Sequence, residues 1–324
     1  MRKVLLATTA LVAVTGVAHA DVSINGYYEF GYESVSDDQT SDSDDMYNDH
    51  EIHISFSSTT DTGMTFGAET EIEATAANTG NDESSMYISG DFGKVEMGQN
   101  DGAGPTFVTF PAAHNNNIGS YDIGSHQKNS SGTTLTGVYP FPQYGRDGDN
   151  NKISYFSPNM NGFTFGYSYS DEGTDNADTA AGLSYSTDMS GVSVSVTAMM
   201  EDSGESSDTT ENSAYGISLA SGAMDMGVST GSTKTGTTVD SSTTVYGIGY
   251  SVSDDVYVSA NYMTSDNDIT NGDEYEASGL GMSYSIASGL TFNVGVMSFE
   301  ATDGGSTSLN NDGTVIRSSL SMSF

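Results

Sequence analysis

The chain has 324 residues, no Cys and no Trp, and sets 44 Asp and Glu against 8 Lys and Arg, a net charge of −36. That balance repels nucleic-acid phosphates, and the missing cysteines exclude a disulfide framework and thiol chemistry. Hydrophobic residues make up only 35% of the chain, yet 19 Tyr and 13 Phe set it apart from disordered segments, which are poor in aromatics.

Residues 1–20 open with Arg2 and Lys3, continue through an apolar stretch from Val4 to Val17 and close on Ala18-His19-Ala20. A basic start, an apolar middle and a small-residue A-x-A end form the pattern of a secretory signal peptide, expected to be cleaved, with 21–324 as the folded unit. The apolar stretch falls short of the roughly 20 residues a spanning helix needs. Beyond it, six Lys and Arg face all 44 acids, a net charge of −38. Such a charge suits a surface or channel that favours cations.

From residue 22 onward the dominant signal is a period of two. Apolar residues alternate with Ser, Thr, Glu or Gly in Val22-Ile24-Tyr28-Phe30-Tyr32, Ile52-Ile54-Phe56, Met64-Phe66-Ala68-Ile72, Phe163-Phe165-Tyr167-Tyr169 and Val192-Val194-Val196. The pattern continues in Tyr215-Ile217-Leu219, Met224-Met226-Val228, Tyr246-Ile248-Tyr250, Val256-Val258-Ala260-Tyr262, Leu280-Met282-Tyr284-Ile286, Leu290-Phe292-Val294-Val296 and Ile316-Leu320-Met322-Phe324. No helical period competes with it.

Seven short connections (59–63, 90–93, 157–162, 188–191, 220–223, 252–255 and 287–289) carry Gly, Asp, Asn or Pro and suit tight hairpins. Eight longer polar segments (35–48, 76–84, 100–150, 171–178, 202–211, 232–241, 266–273 and 301–312) alternate with them. Fifteen connections join sixteen strands, and short turns on one side with long loops on the other predict an all-β, 16-stranded antiparallel transmembrane β-barrel. A soluble sandwich would give no reason for loop lengths to alternate. A barrel this wide holds water, so its inward face can be charged. Glu69, Glu71 and Glu73 share the parity opposite to Phe66 and Ile72, which places three adjacent carboxylates on the wet face, where water and counter-ions screen them. Tyr28, Phe30, Tyr155, Phe163, Tyr250, Tyr284 and Phe292 together suit the aromatic girdles of such a barrel.

Residues 100–150 break the pattern. Four of the five prolines (Pro105, Pro111, Pro140 and Pro142) fall here with Phe107, Phe110, Tyr121, Tyr139, Phe141 and Tyr144. A connection of this length carries function or is disordered, and its aromatics give it something to pack with.

Gly90-Asp91-Phe92-Gly93-Lys94-Val95-Glu96-Met97-Gly98 resembles the turn and fifth strand that lead into the third loop of Gram-negative general-diffusion porins, in particular those of alphaproteobacteria. Asn151-Lys152-Ile153-Ser154-Tyr155-Phe156-Ser157-Pro158, followed by Gly162-Phe163, resembles the strand and turn after that loop, and the terminal Phe324 is shared with outer-membrane barrels at large. The resemblance implies an in-folded third loop, here 100–150, acting as a constriction. It also implies a homotrimer in the outer membrane of a Gram-negative bacterium, among its lipid and lipopolysaccharide, through which small hydrophilic solutes and ions diffuse passively. The family sets acids on the third loop against a basic wall, and this chain departs from that. Its loop holds Asp101, Asp122, Asp147 and Asp149 beside Lys128 and Arg146.

Pore-lining and constriction candidates from parity and loop position are Glu69, Glu71, Glu73, Lys94, Glu96, Asp101, Asp122, Arg146, Lys152 and Arg317, with Glu29, Glu33, Glu51 and His53 beside them. The excess of acids predicts a cation-selective pore. Two alternatives are a substrate-selective channel of the same fold and a plugged surface or adhesive barrel.

Other constellations carry less. His50 and His53 are three apart on a strand and point to opposite faces, so they do not form a chelating pair, and no metal site is expected. His114, His126 and Asp122 are read as polar packing of the third loop. Asp42, Asp44, Asp45 and Asp49 in the first outer loop, and Asp147 and Asp149 at the close of the third, offer oxygens for calcium or for divalent bridging to lipopolysaccharide. Neither stretch completes an EF-hand, so solvated loop charge is the expectation and no cofactor is implied. Gly102-Ala103-Gly104 is read as opening no helix and cradling no phosphate, and no nucleophile and base are placed together, so an enzyme is not expected.

Overall fold

The structure of the protein, a computed structural model, describes residues 21–39, 43–74, 79–111, 126–145, 148, 150–171, 173, 177–204, 209–269 and 272–324. Residues 1–20, Asp42, His114, Tyr121, Asp122, Arg146, Asp147 and Asp149 lie outside the described residues.

Sixteen strands form: β1 (Asp21–Asp37), β2 (Ser43–Thr59), β3 (Thr65–Ala74), β4 (Thr79–Gly90), β5 (Gly93–Gln99), β6 (Asn151–Phe156), β7 (Phe163–Ser170), β8 (Asp178–Met189), β9 (Val192–Ser203), β10 (Thr210–Ser221), β11 (Met224–Thr235), β12 (Val239–Ser251), β13 (Val256–Asn267), β14 (Glu274–Ala287), β15 (Leu290–Thr302) and β16 (Asn311–Ser323). Each pairs antiparallel with its sequence neighbours, and β1 pairs with β16 from Tyr27↔Ser323 to Asp37↔Gly313, closing the barrel. The seam is completed at the terminus. The Phe324 N–H donates to the Gly26 carbonyl at 3.1 Å, and the Gly26 N–H donates to the Phe324 carbonyl at 3.2 Å. Closure matters because hydrocarbon offers no partner to an unpaired backbone group.

Period-two alternation sets the two faces. Ile52, Phe56, Phe66, Ile72, Phe163, Phe165, Ile217, Ile248, Leu280, Ile316 and Leu320 stand outward and exposed, the pattern a lipid-facing wall requires. The opposite parity faces the lumen.

The outer connections are shorter than alternation alone suggests. Segment 35–48 is mostly strand, with only 38–42 between β1 and β2, and 232–241 contracts to 236–238 between β11 and β12. Asp44, Asp45 and Asp49 therefore belong to β2 and not to a loop, where Asp44 accepts from Ser34 Oγ at 2.6 Å and Asp49 from Tyr27 OH at 3.0 Å. The reason is length. A tilted strand crosses a bilayer in about 9–11 residues, whereas β1 and β2 have 17 each. The surplus projects into water, where the outward face no longer needs apolar residues and the alternation fades although the hydrogen-bonded ladder continues.

Candidate functional site

The third loop leaves β5 at Asn100 and re-enters the wall at β6. Its outgoing limb contains a single helical turn, α1 (Ala103–Thr106). Gly102-Ala103-Gly104 thus does lead into a helix, contrary to the sequence reading, because Pro105 tolerates a first turn and the Phe107 N–H closes it on the Gly104 carbonyl at 3.2 Å. The turn is too short to act as an anion site.

The loop lies inside the barrel because one wall is built of small residues. Phe107 is 3% exposed, and a Cβ on Gly166 would come 2.7 Å from its ring, while one on Gly182 would strike the same ring. Thr109 lies against Gly216 and bonds Thr197 Oγ1 at 2.6 Å, and Pro142 sits 2.7 Å from a Cβ built on Gly231. The Ala103 N–H donates to Ser168 Oγ at 2.7 Å. Phe107 joins Ala103, Val108, Ala180, Met199 and Ala214 in a buried cluster flanked by Phe110, Tyr144 and Phe156.

The returning limb crosses β16 to β9. Asn129 Nδ2 donates to Asp303 Oδ2 at 2.8 Å, Asn311 Nδ2 to the Lys128 carbonyl at 3.0 Å, the Thr136 N–H to Asp273 Oδ2 at 3.0 Å, and the Gly145 N–H to Glu201 Oε1 at 2.7 Å. Leu135 and Val138 pack on Met263, Tyr275, Met297 and Phe299. His126 stacks on Phe299 with ring centroids 5.7 Å apart and brings Nε2 to 3.6 Å from Glu33 Oε1, which is polar packing of the loop.

Among the described residues, the cationic candidates Lys94, Arg317 and Lys152 are engaged. Lys94 Nζ is 2.6 Å from Glu96 Oε2 and 5.0 Å from the Phe156 ring centroid. Arg317 Nε is 3.3 Å from Glu33 Oε2, with its guanidinium 4.3 Å above the Tyr47 ring. Lys152 is 3% exposed, and its ammonium donates to the carbonyls of Asn100 and Gly148. It pins the base of the loop and does not present its charge to an open lumen. Replacing it by Met should leave those carbonyls without this donor, at roughly 1–3 kcal/mol. A lowered melting temperature and noisier open-channel current are the expected readouts, and an unchanged melting curve would contradict the anchoring role.

The acids gather on the wall of β2 and β3. Glu51 faces Glu73, His53 faces Glu71 and Ser55 faces Glu69 across the ladder. These groups remain accessible, with side-chain exposures of 15% for Glu51, 24% for His53, 40% for Glu69 and 21% for Glu71. A bulge in β4 sets Asp82 and Glu83 opposite Glu71, between the pairs Thr70↔Ser84 and Ile72↔Asn81, and holds Glu83 within electrostatic reach of it. His53 Nδ1 is 3.0 Å from Glu71 Oε1 and 3.8 Å from Glu69 Oε1, and Nε2 is 3.6 Å from Glu51 Oε1. His50 lies on the outer face, its ring 5.4 Å from Tyr28. Glu29 and Glu33 share the inward parity of β1, and Asp101 stands exposed where the loop departs.

A wide, closed barrel with water-accessible carboxylates on one wall and a loop folded onto the other is the architecture of a channel. A family model described as Gram-negative porin matches residues 7–304. The chain belongs to the Gram-negative porin family. This porin is a non-enzymatic channel of the outer membrane that passes small solutes. Its fold is similar to that of an anion-selective porin from Comamonas acidovorans, with TM-score 0.71 and 18% identity over 94% of this chain and 100% of that one. It is also similar to a mutant of the Rhodobacter blastica porin, with TM-score 0.64 and 18% identity over the same shares of the two chains. At such identities the likeness is one of fold. No curated protein sequence matches the chain.

Parity alone missed which wall the loop covers. Two signals were present: inward-parity glycines at 166, 182, 216, 227 and 231, and apolar residues of the same parity in the upper strands, such as Met199, Met263, Met297 and Phe299.

Proposed function

We propose that this porin is a cation-selective general-diffusion channel in which solutes pass between the in-folded loop 100–150 and the β2–β3 wall. The observation that carries the reading is the accessible row Glu51, Glu69, Glu71 and Glu73 on the wall opposite the loop's anchorage, while Lys94, Arg317 and Lys152 are held by Glu96, Glu33 and backbone carbonyls. A cation passing along this wall comes within one Debye length of the row, about 8–10 Å at 0.1–0.15 M salt. The anion selectivity of the Comamonas porin belongs to that protein, since lumen charge and not fold sets the sign.

The same reading includes removal of residues 1–20 on export, the site residues named above, Lys152 excepted, as pore lining, and association with lipopolysaccharide. It also includes a homotrimer, which His50 supports, because a polar ring on the outer face of β2 suits a protein contact better than hydrocarbon. Proteoliposome swelling tests the channel. Lysine should enter faster than a neutral solute of equal size, and glutamate slowest. Equal rates for lysine and glutamate would contradict the charge reading, and no swelling by well-inserted protein would favour the plugged barrel.

A further inference from the structure

We propose that Glu51, His53 and Glu71 form a binding site for a borderline-soft divalent cation such as Zn²⁺ on the lumen wall. The three present one ligand atom each, all within 4.8 Å of one another, and among the described residues no other group of His, Asp or Glu does so. What separates this place from a patch of acids is the imidazole in its centre. Carboxylates alone suit Mg²⁺ and Ca²⁺, whereas a nitrogen donor among oxygens selects Zn²⁺, Cu²⁺ or Ni²⁺.

The arrangement also contains the outer partners such a site needs. Metal-bound imidazoles donate their second N–H to a carboxylate, which fixes the ring. Here Nε2 faces Glu51 at 3.6 Å while Nδ1 faces Glu71 at 3.0 Å and Glu69 at 3.8 Å, so an ion bound at Nε2 with Glu51 and a rotated Glu71 leaves Glu69 to accept the Nδ1–H and orient the ring. Zinc–ligand bonds of about 2.0–2.2 Å set tetrahedral donors roughly 3.4 Å apart, so side-chain rotations of about an ångström draw the group together. Water fills the fourth position. Cross-strand register fixes the rest, because His53 and Glu71 are directly opposed and Glu51 is the next inward residue along β2.

The proposal rests on this wall being water-lined, as in the channel reading, but its test reads binding apart from selectivity. Isothermal titration of ZnCl₂ into the detergent-solubilised protein should give one site per chain in the micromolar range. MgCl₂ should give affinity at least 100-fold weaker. His53→Gln and Glu71→Gln should each weaken zinc at least tenfold, while Glu276→Gln with Glu300→Gln, on the outer surface, should leave it unchanged. A zinc-edge absorption spectrum of the unaltered protein should carry an imidazole shell, which keeps the test free of any folding defect in the variants. In bilayers the same zinc should lower potassium conductance by about half. Equal responses to zinc and magnesium, an oxygen-only shell, or full zinc affinity in a folded His53→Gln protein would overturn the site.

Discussion

Lysine in place of Glu69, Glu71 and Glu73 should turn this porin from a cation-favouring into an anion-favouring channel. The magnitude follows from Coulomb's law. A unit charge about 7 Å away in water contributes roughly 0.6 kcal/mol, halved to about 0.3 by screening at 0.1 M salt. With all three carboxylates ionised, they favour a cation by about 0.9 kcal/mol and disfavour an anion equally, a difference of about 1.8 kcal/mol or somewhat more than tenfold in permeability ratio. Glutamine at the three positions should remove that factor, and lysine should invert it, a swing of a few hundredfold. The ratio should also relax toward unity in 1 M salt, where the Debye length shrinks to about 3 Å. The row lies on the lumen side of the β2–β3 ladder, whose backbone hydrogen bonds do not depend on these side chains, so the variants should fold. Reversal potentials unchanged in the lysine triple variant would place the selective step elsewhere in the lumen.

The second large effect is expected at Gly182. Its backbone is ordinary strand, so what the site demands is room, because a Cβ there would come 2.2 Å from the Phe107 ring. Gly182→Val should drive the loop off β7 and β8. Forced overpacking costs typically 1–3 kcal/mol, and losing the Phe107 contacts approaches the 3–5 kcal/mol of a Phe→Ala change. The barrel ladder does not pass through Phe107, so the strands should persist while conductance rises and discrimination by size falls. Phe107→Ala should do the same without touching the wall. A Gly182→Val channel of unaltered conductance would mean that the loop is not held there.

Much of this was legible in the residues. Alternation in stretches such as Phe163-Phe165-Tyr167-Tyr169 located strands, and the even count with unequal connections gave the closed 16-stranded barrel. Strand ends were misread where polar strands outrun the membrane, as at Asp44 and Asp45, because the signal being read is the lipid and not the ladder. Lys152 shows a second limit. Inward parity is visible in sequence, but burial under the loop depends on contacts between residues 52 apart, such as Lys152 with Asn100. The docking wall was written in its glycines and inward methionines, which acquire meaning only once the loop is known to lie against them.

Cation selectivity is read most directly from the zero-current potential of the unaltered porin in a planar bilayer across a tenfold potassium chloride gradient. The sign of the potential should report potassium crossing faster than chloride, and its size should shrink as both solutions are made more concentrated. A potential of the opposite sign, with chloride the faster ion, would contradict it.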